Sequence, residues 1–474
     1  MANNSASHHP TAQPHNQAQQ DPHDLTWLPA WQLRDLMVRR EISALVVTNH
    51  FLERIERLDP LLHMFRSIDP AAARQQAEAA DKALAAGYPP GLLHGVPIAI
   101  KEHIAVRGFR CLKMSSIAAT EATMPVAEDD SIVTERLRKA GAIILGTTIM
   151  PGMGLGPGMP ELAQHPRNPW DTGRVPGSSS AGSAAAVASG VLPVAIGTDG
   201  GGSTRLPAAL TGIIGLHPTI GRVPNVSFQN AQLMLTNTAG PLTRDVRDTA
   251  IILQAIAGPD GRDMLSTSHG PAPDYLEALQ GDVNSARLAW TDDFGFGSTY
   301  AVAQSPRIIA AVRQAAAGFT ALGAAFMPVD EQWESFWPHF ITTDSAYSTT
   351  SASRPAPEQL AAALDVRMRN RAKFEAILNR FDALLSPTIY FTAPTIADWQ
   401  NSWRDIRAFS PVYGSATFML NWIGLPAISI PCGFVNGLPI GLQLVGQAGS
   451  EGRLLCLARN FLDQYPRAER PPLT

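Results

Sequence analysis

Cysteine is scarce in this chain, with only Cys111, Cys432 and Cys456 in 474 residues. Their odd number and wide spacing exclude a disulfide framework and predict a reduced, cytoplasmic protein. Lysine is nearly as rare, at Lys82, Lys101, Lys113, Lys139 and Lys373, and arginine carries the remaining basic charge. Charged residues make up 16% of the chain and the formal net charge is -4, so neither nucleic acid nor an anionic membrane is expected as a partner. No apolar run is long enough to span a bilayer. Neither H-E-x-x-H nor a paired C-x-x-C occurs, so no metal and no cofactor is expected. The stretch carrying Gly152, Gly154, Gly156 and Gly158 lacks the Gly-Lys-Ser/Thr ending of a phosphate-binding loop. The absence of G-x-S-x-G and of S-x-x-K argues against an α/β-hydrolase elbow and a penicillin-binding type of site.

What is present concentrates between Gly177 and Ser203. A serine-glycine turn (Gly177-Ser178-Ser179-Ser180-Ala181-Gly182-Ser183) and a second turn (Asp199-Gly200-Gly201-Gly202-Ser203) bracket a helix of small residues. Each turn has a serine hydroxyl at the bend and glycines that let the backbone approach a ligand and aim consecutive N–H groups at one oxygen. That combination suits acyl transfer. A serine needs a base, and Lys101 is the candidate, because it ends the apolar run Val96–Ile100, a predicted buried strand. Burial can lower a lysine from about 10.4 by ~3 units, whereas a guanidinium stays protonated. Lys139, in ERLRKAG, reads as solvated, and His94, His103 and His217 read as packed or loop histidines.

These residues carry a resemblance. LLHGVPIAIKEH (Leu92–His103), RNPWDTGRVPGSSSAGSAAAVASG (Arg167–Gly190) and GTDGGGSTRLPAALTGIIGLHPT (Gly197–Thr219) resemble the motifs of the amidase signature family of serine hydrolases. Thr238–Gly258 and Gly424–Gly446 resemble its later blocks, so the likeness runs from about Leu25 to the C-terminus and is weakest between Pro259 and Leu384. The resemblance implies an α/β fold, a single compact domain over 25–474 with a mixed central sheet surrounded by helices. It implies Ser203 as nucleophile, Ser179 as a bridging serine after a cis peptide, and Lys101 as base. The backbone N–H groups of Gly200, Gly201, Gly202 and Ser203 would form the oxyanion hole. Ser180, Asp199 and Arg205 would support the site, the last two by a charge-assisted hydrogen bond that shapes the turn. The chain departs from the family pattern at Ser178 and Ala181, at Glu102 in place of the usual Asp, and at Gly200 in place of Thr or a branched residue.

The implied activity is cleavage of the C–N bond of small aryl or alkyl amides, with carbamates (urethanes) and esters presenting the same carbonyl. The alternatives are a glutamine-hydrolysing component of a transamidation complex and a non-catalytic binding member. The expected partner is a small-molecule amide or carbamate, and oligomeric state is left open. Met150–Pro166, the segment around Trp333 and Trp337, and Tyr390–Trp422 are the candidate pocket walls, and they suggest an apolar pocket. Met1–Asp24, with His8, His9, His15 and His23 and no apolar centre, reads as a disordered polar tail and not a targeting element. Apolar spacing predicts a helix over 25–58, and Asp69-Pro70 predicts the start of another that stops at Gly87. Strands at 96–100, 142–145 and 193–196 then alternate with helices at 131–140 and after Gly182.

Overall fold

The computed structural model describes residues 24–112, 124–151, 165–225, 235–296, 299, 301–347, 354–404 and 412–473. The tail up to His23, Lys113 and the glycine-rich loop 152–164 lie outside these residues. One mixed sheet organises the chain. Its strands are β1 (Phe65–Ile68), β2 (Pro97–Lys101), β3 (Ile143–Thr148), β4 (Val194–Asp199), β5 (Ile214–His217), β6 (Thr238–Thr243), β7 (Arg287–Trp290), β8 (Ala325–Pro328), β9 (Ala383–Pro387), β10 (Ala427–Val435) and β11 (Leu438–Val445). Their order is β1-β3-β2-β4-β6-β5-β10-β11-β9-β7-β8. β2 runs parallel to both β3 and β4, and every residue of these three strands is buried. Strands buried on both faces need no polar alternation, which is why they read as apolar runs in the sequence.

The predicted helix over 25–58 is two helices, α1 (Ala30–Val38) and α2 (Ala44–Leu62). The chain turns between them because Arg40 takes a positive φ of 59° and the Ser43 hydroxyl accepts the Val46 N–H, capping a new helix. α3 (Pro70–Ala85) starts on its Asp69 cap, whose carboxylate accepts the Ala72 N–H, and Gly87 follows it at φ 84°. α4 (Ile132–Lys139) leaves Lys139 exposed. Leu92 lies in a turn ahead of β2.

The main core lies between the sheet and α1, α2, the helix Val246–Ile256 and the C-terminal helix Glu451–Gln464. A second, aromatic core joins Phe294, Trp333, Phe336, Phe374, Tyr390 and Trp422. Trp333, with its ring centroid 4.7 Å from that of Phe374, is therefore packing and not pocket wall, and Tyr390 and Trp422 are buried with it. None of the three cysteines is in a disulfide, and no helix among the described residues is long and apolar enough to cross a membrane.

Candidate active site

The parallel register of β2 on β4 pairs Ile98 with Val194 and Ile100 with Ile196, which carries Lys101 to the end of β4. α5 (Ala181–Ala188) approaches the same edge. Its sequence AGSAAAVA is wholly buried, and the small side chains let it sit directly on the sheet. A Cβ on Gly182 would come within 2.2 Å of the Met64 carbonyl oxygen, and one on Gly197 within 2.6 Å of the Ser180 hydroxyl. Glycine at both places is what allows the first turn of α5 to reach the lysine.

Lys101 is fully buried, and its Nζ donates to Ser179 Oγ at 2.7 Å, Ser180 Oγ at 3.0 Å and Thr198 Oγ1 at 3.1 Å. Burial pushes its ammonium down to about 7, against the opposing pull of the Asp199 and Glu102 charges. Ser180 Oγ in turn donates to the Thr198 carbonyl at 3.2 Å. The Ser178–Ser179 peptide bond is cis. The Ser178 N–H donates to Tyr413 Oη at 2.7 Å, and that hydroxyl donates back to the Ser178 carbonyl at 3.3 Å. Ala181 is accommodated as the first, buried residue of α5.

Ser203 lies in the turn after β4 and is partly exposed, unlike its buried neighbours. Its carbonyl accepts the Ser180 N–H at 3.3 Å, tying the two serine turns together, and its hydroxyl makes no hydrogen bond among the described residues. The turn is held from beneath by Asp199. That carboxylate receives Arg205 Nε at 2.9 Å and Nη2 at 3.0 Å, Thr204 Oγ1 at 2.8 Å and Asn421 Nδ2 at 2.8 Å. Burial opposes its charge, but Arg205, His217 and these hydrogen bonds hold it well below the usual carboxylate range. The Gly202 N–H also donates to Asp199 Oδ1, at 2.5 Å. The Gly202 amide is thus turned onto a carboxylate, whereas the N–H groups of Gly200, Gly201 and Ser203 have no acceptor among the described residues.

Several contributors were not read from the sequence. Thr198 meets the lysine, and His103 Nε2 lies 3.0 Å from the Thr198 hydroxyl, so this histidine belongs to the polar network and is not simple packing. Glu102 accepts Arg66 Nε at 2.7 Å and the Met150 N–H at 2.6 Å, bracing the strand that carries Lys101. Thr417 donates to the Gly201 carbonyl at 2.8 Å, and Gln443 accepts Arg205 Nη1 at 2.8 Å. Phe418 lies against the turn, since a Cβ on Gly201 would come within 2.6 Å of its ring, and it contacts Trp337 and Phe340, both partly exposed. Thr417, the N-cap of the short helix Phe418–Ile423, and Asn421 stand four apart, a spacing that puts two polar groups on one side and was the available signal.

A buried lysine bonded to a serine, beside a second, accessible serine in a turn of open amides, is equipment for acyl transfer on a mixed α/β frame. The amidase family model matches residues 46–356 and again 347–455, and the chain belongs to that family. It is 35% identical to the A-type component of the glutamyl-tRNA(Gln) amidotransferase of Roseiflexus castenholzii, over 90% of this chain and 93% of that protein. It is 30% identical to an acylamidase of Rhodococcus erythropolis, over 95% and 98%. Among solved structures, a bacterial aryl acylamidase of the amidase signature family superposes with a TM-score of 0.79 at 26% identity, covering 93% of this chain and 97% of that one.

Proposed function

We propose that this protein is a cytoplasmic amidohydrolase that cleaves the C–N bond of small amides through an acyl-enzyme on Ser203. The observation that carries the reading is the fully buried Lys101, held near neutrality and bonded to Ser179 at 2.7 Å. Neutral Lys101 takes a proton from Ser179 as Ser179 takes one from Ser203, whose oxygen attacks the substrate carbonyl. The Ser179–Ser203 contact forms in the substrate complex, where catalytic hydrogen bonds commonly tighten. The oxyanion is received by the amides of Gly200, Gly201 and Ser203, and each such donor contributes on the order of 10²- to 10³-fold in rate. Collapse expels the amine, protonated back through Ser179, and water then attacks the acyl-enzyme with the same base assisting. Carbamates and esters fit the same chemistry.

Glutamine hydrolysis within a transamidation complex is the second reading, favoured by the similarity to the glutamyl-tRNA(Gln) amidotransferase component. The small-amide reading is favoured by the apolar character of the neighbouring wall, where Phe418, backed by Trp337 and Phe340, lies against Gly201. The test is a hydrolysis screen of p-nitroanilides, a p-nitrophenyl carbamate, p-nitrophenyl esters and glutamine, with Ser203→Ala as the blank. Serine-dependent anilide release is expected from the lone protein. Ammonia release from glutamine alone would favour the amidotransferase reading, and turnover by Ser203→Ala would refute the nucleophile.

A further inference from the structure

We propose that His103, acting through Thr198, makes Ser179 the one hydroxyl that can hand its proton to Lys101. The inference rests on the reading of Lys101 as base and concerns a choice that reading leaves open. Lys101 Nζ faces three hydroxyls, Ser179, Ser180 and Thr198, at 2.7, 3.0 and 3.1 Å. A protonated lysine has three N–H groups and donates to all of them. A neutral amine has two N–H groups and a lone pair, so one hydroxyl must turn and donate to it. If Thr198 or Ser180 were the one to turn, the lone pair would be occupied and the base blocked.

The hydrogen-bond directions decide between them. The Ser180 proton is engaged by the Thr198 carbonyl, 3.2 Å away. Among the described residues Thr198 Oγ1 has one hydrogen-bonding neighbour besides Lys101, His103 Nε2 at 3.0 Å. His103 is buried, and its Nδ1 has no partner among the described residues, so its tautomer is set at Nε2. While Lys101 donates to Thr198, the Thr198 proton has, among the described residues, only this ring nitrogen to go to, which places the imidazole hydrogen on Nδ1. Burial, and then the Lys101 charge, hold the ring neutral and so able to accept. Ser179 Oγ has no partner but Lys101 among the described residues. When the lysine loses its proton, Ser179 is therefore the hydroxyl that turns. His103 is a positioning residue: it touches neither Lys101 nor any reacting atom by hydrogen bond.

Two measurements test this. The first is a cycle on Ser203-dependent turnover. His103→Leu removes the acceptor and should lower kcat by about tenfold, the population effect of one competing hydrogen bond, with KM unchanged. In a Thr198→Val background the same substitution should cost nothing further, because there is no threonine proton left to direct. A structural role for His103 would lower kcat equally in both backgrounds, and that additive result would overturn the proposal. The second is long-range ¹H–¹⁵N NMR of histidine-labelled protein, with the His103 signals identified by their loss in His103→Gln. A neutral ring protonated on Nδ1 is expected, and one protonated on Nε2 would overturn the proposal. The tautomer is readable whether or not the protein turns over an amide, so it separates this inference from the amidase reading, which fails when wild type and Ser203→Ala release product alike.

Discussion

Lys101 takes its chemical character from complete removal from water, not from a neighbouring cation. With its ammonium pushed down to about 7, the basic form grows as pH rises through that value. The acid limb of kcat/KM should accordingly have a midpoint near pH 7, and Lys101→Ala should lose that limb together with about 10²- to 10⁴-fold in rate. A pH–rate profile of both proteins checks this, and an unchanged limb in the variant would place the base elsewhere. The same shift has a stability sign. An unfolded lysine keeps its proton to about 10.4, so between about pH 7 and that value the unfolded chain binds more protons, and this group makes stability rise with pH. Arg205 and Asp199 show the opposite use of burial, a fully enclosed pair with every strong donor placed. Arg205→Leu would strand the carboxylate and should destabilise the fold by about 3–5 kcal/mol in urea unfolding, where a loss under about 1 would show the pair to be dispensable.

At the scale of single elements, α5 is the part on which the site depends most directly. It brings Ser179 and Ser180 to the lysine only because Gly182 clears the Met64 carbonyl. Gly182→Ala meets backbone, not a yielding side chain. It should lower stability by roughly 1–3 kcal/mol, and kcat further than that loss explains, since any retreat of α5 lengthens the Lys101–Ser179 contact. Melting temperature and kcat measured together decide it, and an equally active, equally stable variant would show that the helix has room. Elements whose ends are written in local chemistry were legible: the Asp69-Pro70 start of α3 and the apolar runs of β2 and β4. The break between α1 and α2 was not, because Arg39, Arg40 and Glu41 continue a helix as readily as they end one.

For the molecule as a whole, the motifs around Lys101, Ser179 and Ser203 announced the family before any fold was drawn, whereas the residues that steady them did not announce themselves. The part played by His103 depends on the register of β2 against β4, which sets Thr198 beside Lys101. Asn421 and Gln443 reach Asp199 and Arg205 from more than two hundred residues away. Polar spacing of this kind leaves no local sign of which distant partner it meets. It also bears on how the protein is made. Lys101, Ser179 and Ser203 have all been synthesised by residue 203, yet the turn that bears Ser203 is braced by Thr417, Asn421 and Gln443. A chain cut before Thr417 should therefore resist fluorophosphonate labelling although it contains Lys101, Ser179 and Ser203, and a labelled fragment would contradict this. On the proposed function, Ser203 would stay chemically silent during translation until the segments carrying Thr417, Asn421 and Gln443 leave the ribosome, sparing the half-made chain and its neighbours from a loose nucleophile.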